Sequence, residues 1–141
     1  MDVRVWGETE GRLIELLPSS SDDGFGVAGL PGDRARTTAD RVRAALLNSG
    51  VLPEAPSALI RLEPAVRGGT NAELDVAIAL TALCWAGAIG SGLGWILATG
   101  RLGLDGRVYA RGVANPITLA KVVEECHTPL LGYERMFEGE G

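Results

Sequence analysis

The sequence predicts a single mixed α/β domain that spans residues 1–141, with a mixed sheet packed against helices. Three observations support this fold class. Apolar residues recur at helical spacing in three segments, shorter segments of alternating apolar and polar residues lie between them, and one Asp-Gly pair separates two of the alternating segments. The predicted order of elements is therefore strands, helix, strand, helix, hairpin, helix.

The predicted strands of the first half are short. The opening stretch VRVWGETEGRLIELLP indicates two strands joined at ETEG, and FGVAGLPG, at 25–32, is a glycine-rich extended segment. SALIRLEP, at 57–64, alternates as a half-buried strand does. The segment from Gly29 to Gly32 favours a bend that uses the conformational freedom of glycine, and a binding loop is the alternative interpretation.

The first predicted helix covers 37–49. Thr37 and Asp40 resemble a capping box, and Gly50 is a stop signal. One face of this helix is lined, at helical spacing, by Val42, Ala45, Leu46 and Ser49.

The second and third predicted helices cover 71–87 and 116–126. The second helix is apolar nearly all round, so it should lie at the centre of the core, with Asn71 as its N-cap. Asn115 should cap the third helix, with Pro116 at the first helical position.

Two further β segments separate these helices. GWILATGRL indicates one buried strand, and LGLDGRVYARG indicates a hairpin around Asp105-Gly106. Trp85 and Trp95 lie in apolar runs and are assigned to the core, whereas Trp6, in an alternating strand, is consistent with a buried or an exposed position.

Composition and charge restrict the function classes. The formal net charge is -5, with 46% hydrophobic and 22% charged residues, as in an ordinary globular chain. An acidic total argues against a dedicated nucleic-acid binder, although central arginines allow a local basic patch. The longest strongly apolar run, Leu74 to Ile89, is short for a membrane span, and the amino terminus lacks a secretory pattern. We expect a cytoplasmic protein without membrane contact.

Residues that bind metals or carry redox chemistry are few. Cys84 and Cys126 both lie in apolar helical patterns, which favours buried thiols over a disulfide or redox pair. His127 is the only histidine, so neither a His-based triad nor a His-rich metal site is supported. We expect no metal and no cofactor.

Four motifs resemble those of one family, in the same order and spacing. VAGLPGDRARTTADRVRAALLNSG is similar to the segment VGLP … ERVRAAL-NSG of the ComM/YifB proteins, the Mg-chelatase-like ATPases. LIRLEPA resembles their ITVNLAPA, AELDVAIAL resembles their FDLPIAIGIL, and ATGRLGLDGRVYARGV resembles their GELSLDGRVRPVRGV. The resemblance is strongest over 25–119.

This resemblance implies the amino-terminal domain of that family, whose fold is shared with the proteolytic domain of Lon and with domain two of ribosomal small-subunit protein five. For full-length relatives it also implies an ATP-driven ring that acts on branched DNA during natural transformation (competence). Those relatives continue into an ATPase module, whereas this sequence contains no G-x-x-x-x-G-K-[ST] phosphate loop. We therefore expect the chain to lack a motor of its own.

The resemblance to Lon also indicates where the serine and the lysine of the Lon catalytic dyad would fall in this sequence. The serine position is Asn71 and the lysine position is about Ala114. An amide cannot attack as an alkoxide, and a methyl group cannot act as a base. Lys121, the only lysine, lies in the third predicted helix, and Thr70, the nearest hydroxyl, has no evident base. We expect no peptidase activity.

A phosphate site in the segment RGGTN is also disfavoured. A helix amino terminus attracts anions through its N–H groups and its dipole. Glu73 and Asp75 fall in the first turn, where they complement that dipole themselves and repel a phosphate. The segment is expected to start a helix.

The arginines of the first helix are the remaining candidate for a binding surface. They could contact phosphates, but a solvated helix face paired with Asp33 and Asp40 is the favoured interpretation. Any DNA binding is expected to be weak and independent of sequence. The four arginines are Arg34, Arg36, Arg41 and Arg43.

Two functional hypotheses from different classes follow. The favoured one is a non-catalytic binding or assembly domain that acts through an ATPase partner or DNA. The alternative is a divergent Lon-like serine/threonine hydrolase that uses Thr70. Homo-oligomerisation is compatible with both hypotheses, and no feature favours a small-molecule sensor.

Overall fold

The computed structural model describes residues 3–69, 71–89, 94–110 and 115–126, which form a mixed α/β arrangement, as predicted. The strands in the described ranges are β1 (Arg4–Thr9), β2 (Arg12–Ser20), β3 (Gly26–Ala28), β4 (Ala58–Glu63), β5 (Trp95–Leu97), β6 (Arg101–Leu102), β7 (Arg107–Tyr109) and β8 (Ile117–Thr118). The helices there are α1 (Arg34–Asn48), α2 (Asp75–Trp85) and α3 (Leu119–Cys126), and a 3-10 turn (Ala72–Leu74) precedes α2.

The strands form two sheets. The larger is a mixed sheet with the order β3-β4-β2-β1-β5, in which β2 pairs antiparallel with β1 and β4, while the outer strands β3 and β5 pair parallel to their neighbours. The smaller is antiparallel, with the order β6-β7-β8. Buried side chains from both sheets and from α1, α2 and α3 belong to one hydrophobic cluster.

Helix α2 lies at the centre of this core, as its apolar composition predicted. Every residue from Asp75 to Cys84 is buried, and Leu80 has no exposed surface. A Cβ added to Gly7 of β1 would lie 3.1 Å from Ala77 Cβ of the helix and 2.7 Å from Leu74 Cδ2 of the preceding 3-10 turn. Gly7 is therefore required by the contact between helix and sheet.

Both predicted hairpins are present. β1 and β2 are joined by Glu10 and Gly11, which both have positive φ angles. In the second hairpin, Gly103 and Arg107 close a three-residue loop through a 2.9 Å backbone bond, and Gly106 has a φ angle of 90°. A positive φ angle at the last loop position is typical of three-residue hairpin loops, which explains the Asp105-Gly106 signal.

Helix α1 begins earlier than predicted, and its predicted capping box is wrong. The helix starts at Arg34, whose N–H donates to the Pro31 carbonyl. The Thr37 hydroxyl donates to the Asp33 carbonyl instead of capping the helix. The backbone turn that starts at Pro31 thus extends the helix upstream, while its end near Gly50 agrees with the prediction.

Asn71 occupies the N-cap position of the 3-10 turn before α2, but its predicted capping of α2 itself is wrong. Asn71 has a left-handed φ angle of 57° and makes no capping bond, because its side chain binds elsewhere in the protein. The 3-10 turn follows it, so α2 covers Asp75–Trp85 rather than 71–87.

The third helix starts later than expected. Ile117 and Thr118 pair with β7 in the smaller sheet, so α3 starts at Leu119 rather than at Pro116. The Thr118 hydroxyl accepts a bond from the Lys121 N–H, and Thr118 therefore takes the capping role that was predicted for Asn115.

The segment GWILATGRL is two strands rather than one. β5 joins the large sheet and β6 joins the small one, and Gly100, with a φ angle of 146°, lies between them.

The assignment of Trp85 and Trp95 to the core is wrong. Their exposed fractions are 38% and 45%, because Trp85 is the last residue of α2 and Trp95 lies on an edge strand, on the sheet face away from the helices.

Within the described ranges, no helix is long and apolar enough to cross a membrane.

Candidate functional site

A chain of buried and half-buried polar side chains lies where β1 ends and α2 begins. Asn71 is 3% exposed; its amide oxygen accepts a 2.8 Å bond from Arg34 Nη1, and its amide nitrogen donates a 3.0 Å bond to Thr9 Oγ1. The Thr9 hydroxyl in turn donates to Glu73 Oε2 at 3.0 Å. We call these four residues the Asn71 network.

The local sequence places each member of this network. Thr9 is the last residue of β1 and points into the core, because residues of that strand alternate between buried and exposed. Arg34 is the first residue of α1, and Glu73 lies in the 3-10 turn. Left-handed backbone at Asn71, which asparagine tolerates better than most residues, brings its amide between Arg34 and Thr9.

The Asn71 network leaves no nucleophile at Asn71. Both ends of the amide bind protein groups, and an amide has no ionisable proton to give up in attack. The other residues of the predicted dyad and its alternative, Ala114 and Thr70, lie outside the described residues.

The amino terminus of α2 is closed to an anion by protein groups. The Val76 N–H donates to the Gly100 carbonyl at 3.1 Å, and the Gly100 N–H donates to the Glu73 carbonyl at 2.9 Å. A Cβ added to Gly69 would collide with the Glu10 carboxylate, so a further negative charge lies beside the preceding loop. Satisfied donors and nearby carboxylates both disfavour a phosphate here.

Asp75 lies in the first turn of α2, as predicted, and it is also the acidic partner of an ion pair. It is fully buried, and Arg41 of α1 binds both of its carboxylate oxygens at 2.8 Å. The Leu102 N–H donates a further bond of 3.0 Å to the same carboxylate. Burial raises the pKa of the Asp75 carboxyl, against the opposing effects of the bonds from Arg41 and Leu102, and the bond to Asp75 raises the pKa of Arg41.

The Arg41–Asp75 ion pair was not predicted from the sequence, although the sequence contains a signal for it. Asp75 is the only charged residue between Leu74 and Ile89. A carboxylate within such an apolar run must either lie at the helix surface or find a cation in the core. Because α2 is buried on every side, only the second option remains.

The four arginines of α1 do not form one surface. Arg34 and Arg41, seven residues apart, lie on the side of α1 that faces the start of α2, where they bind Asn71 and Asp75. Arg36 is two residues from Arg34, which at about 100° per residue puts it on nearly the opposite side. Arg43 shares that side and binds Asp40 at 2.9 Å and the Phe25 carbonyl at 3.2 Å.

The predicted acidic partners are therefore only partly correct. Asp40 pairs with Arg43, whereas no ion pair to Asp33 occurs in the described part of the chain. Arg36 is exposed and has no ion-pair partner among the same residues.

The cysteines are both buried, as expected, and neither forms a disulfide. Burial raises the pKa of the Cys84 thiol to about 11, which keeps it protonated and unreactive near neutral pH. No group of three or more His, Cys, Asp or Glu residues with the geometry to hold a metal ion occurs in the described ranges.

Comparison with known proteins identifies the class. A family model described as subunit ChlI of Mg-chelatase matches residues 14–133, which include α1, α2 and the whole Asn71 network except Thr9. This match defines a Mg-chelatase-like, ATPase-associated domain, consistent with the amino-terminal domain of the ComM/YifB proteins. The chain belongs to the family of Mg-chelatase subunit ChlI. A comparison with curated proteins finds no match.

Proposed function

We propose that this chain is a non-catalytic binding and assembly domain that acts through a Mg-chelatase-like ATPase partner. One observation carries the proposal. At the position where the resemblance to Lon predicts the nucleophile, Asn71 is buried and both ends of its amide are bonded within the protein. The residue stabilises the junction of β1, α1 and α2, and it offers neither a nucleophile nor a free ligand.

The charge distribution favours a protein partner over DNA. Arg34, Arg41 and Arg43 each bind a group of this chain, and Arg41 binds a fully buried carboxylate. Affinity for nucleic acid comes mainly from free cations that displace counterions from phosphates. Few such cations are left on α1, and the net charge of -5 opposes the approach of DNA.

Absence of catalysis can be tested directly. We expect the purified chain to hydrolyse neither casein nor ATP and to incorporate no fluorophosphonate probe. Thr70→Ala is the informative variant, because Thr70 is the nucleophile of the alternative hydrolase hypothesis. Turnover that co-purifies with the wild type and is lost in Thr70→Ala would establish the hydrolase instead.

Partner binding is tested with the purified ATPase module of a Mg-chelatase-like protein from the same source. The chain is immobilised, and module binding is measured by biolayer interferometry with ATP, with ADP and without nucleotide. We expect saturable binding that depends on the nucleotide, and none to an ATPase module from outside this family. Equal binding to both modules, or binding to neither, would contradict the proposal.

A further inference from the structure

No helix in the described part of the chain covers the face of the large sheet that points away from α1 and α2. Residues on its strands alternate, so Val5, Ile14 and Ile60 point into the core while their neighbours point outward. We call the side of the sheet that carries these outward-pointing residues the outer face. It has an apolar part near β5 and a charged part on β4.

The apolar part of the outer face is a shallow groove. Trp6, Leu13, Trp95 and Leu97 line it, and its volume is about 170 Å³. Leu13 is 57% exposed and Trp95 is 45% exposed. Large apolar side chains grouped on an exposed surface are typical of interaction sites.

The charged part contains two carboxylates that lie side by side and two arginines. Glu63 lies directly opposite Glu15 in the pairing of β4 with β2, and like charges in that position destabilise a sheet. Arg4 binds Glu15 through two bonds of 2.8 and 3.0 Å and lowers the pKa of its carboxyl. Glu63 and the nearby Arg61 are both exposed and form no ion pair with other residues that the structure describes.

Positive and negative residues of the outer face lie in neighbouring rows across the strands. The strand register puts Arg4 and Arg61 in one row, together with Trp95. The same register puts Glu15 and Glu63 in the next row, together with Trp6 and Leu97. A two-fold axis that runs between these rows, parallel to them, would place each row over the other row of a second copy.

We propose that two copies of this chain associate through their outer faces about that axis. Arg61 of each copy then lies opposite Glu63 of the other, and Trp95 lies opposite Leu97. A two-fold interface must be complementary to itself, and adjacent rows of opposite charge meet that requirement. A purely apolar partner would bury Arg61 and Glu63 without counter-charges, which costs free energy. The inference does not rest on the proposed ATPase partner.

The oligomeric state of the 141-residue chain tests the association. We expect sedimentation velocity to give a mass that rises with concentration towards twice the 14.7 kDa of one chain. Trp95→Ser should raise the dissociation constant at least about tenfold, because tryptophan is among the residues that most often dominate the binding energy of an interface. Leu104→Ser is the matched control, because Leu104 is 60% exposed on the β6–β7 loop, and it should leave the constant unchanged.

A charge exchange tests the arrangement of the two copies. Arg61→Glu and Glu63→Arg should each weaken association, because each places like charges opposite one another. The double variant should restore it, because both reciprocal pairs are then re-formed with exchanged signs. Circular dichroism checks that each variant is folded. If Trp95→Ser does not fold, the charge-exchange variants alone test the proposed association.

Three results would overturn the proposal. They are a chain that stays monomeric at every concentration, an association that Trp95→Ser leaves intact, and a double variant that associates no better than the single ones. A monomer that still binds the ATPase module would overturn this inference and leave the proposed function standing.

Discussion

Asp75 links three elements of the protein through one side chain. It lies on α2, its carboxylate binds Arg41 of α1, and it accepts the N–H of Leu102 in β6. Buried ion pairs often add little net stability over an apolar replacement, but loss of one partner leaves a buried charge without compensation. The pair therefore fixes how α1, α2 and the small sheet fit together.

Arg41→Ala should lower the free energy of unfolding at pH 7 by roughly 3–5 kcal/mol, because it leaves the Asp75 carboxylate buried without its cation. Since burial already raises the pKa of Asp75, the folded variant binds a proton there more tightly than the unfolded chain does. The deficit should therefore shrink as the pH falls towards the ordinary carboxyl range. Urea denaturation at several pH values measures it.

Arg43→Ala is the matched control for this experiment. Its partner Asp40 is 60% exposed, and exposed ion pairs contribute only about 0–1 kcal/mol. A loss in Arg41→Ala no larger than that in Arg43→Ala would show that Asp75 is not buried as described.

At the scale of elements, core helices and hairpins were predictable and helix starts were not. The apolar surface of α2 and the Asp105-Gly106 turn are local signals, and the chain uses both as predicted. The starts of α2 and α3 depend on bonds to other elements, those of Asn71 to Arg34 and Thr9 and the pairing of Ile117 with Val108. These partners lie outside the few residues that a capping pattern covers, so capping patterns alone misplace these starts.

The candidate site shows the same limit. The likeness to Lon identified Asn71 as the informative position, but its bonding partners are set by how β1, α1 and α2 pack. The arginines of α1 were grouped by their nearness in sequence. The turn of the helix instead divides them between two sides, and only the 3.6-residue period of an established helix reveals that division.

Leu80→Ala should lower the free energy of unfolding by about 2–5 kcal/mol, because Leu80 is fully buried in a helix that is packed on every side. Thermal or chemical denaturation measures the change. Leu104→Ala, at a site that is 60% exposed, should stay within about 0.5 kcal/mol of the wild type. Equal losses in the two variants would contradict the central position of α2.

At the scale of the whole molecule, charge is the main obstacle to nucleic-acid binding. The net charge of -5 gives a repulsive background, and the arginines of α1 point to two sides. A single duplex can therefore reach Arg36 and Arg43 together, but not all four arginines. Because Arg43 is already paired with the exposed Asp40, we expect two phosphate contacts at most, and the second only when that pair opens.

DNA binding, where it is measurable, should have a log-log salt slope near about -2, from about -0.9 for each phosphate contacted. Fluorescence anisotropy with duplex and four-way-junction DNA across a salt series gives this slope. The double variant Arg36→Ala/Arg43→Ala should lose the binding, and Arg12→Ala, which removes an exposed arginine on β2, should keep it. Tight binding that resists salt, or no effect of the double variant, would contradict this surface.

The parallel pairing of β1 with β5 has a consequence for how the chain folds. Arg4 pairs with Trp95, so a strand at the amino terminus acquires its second neighbour only after most of the chain has been synthesised. Contacts of such long sequence separation slow folding, because the loop must close before the pairing contributes stability. Until then, β1, β2, β3 and β4 can pair as a four-stranded sheet whose β1 edge is open to strands of other chains. Trp95 fluorescence should therefore change in the last refolding phase, and the nascent chain stays exposed to misassociation until about residue 97 has left the ribosome.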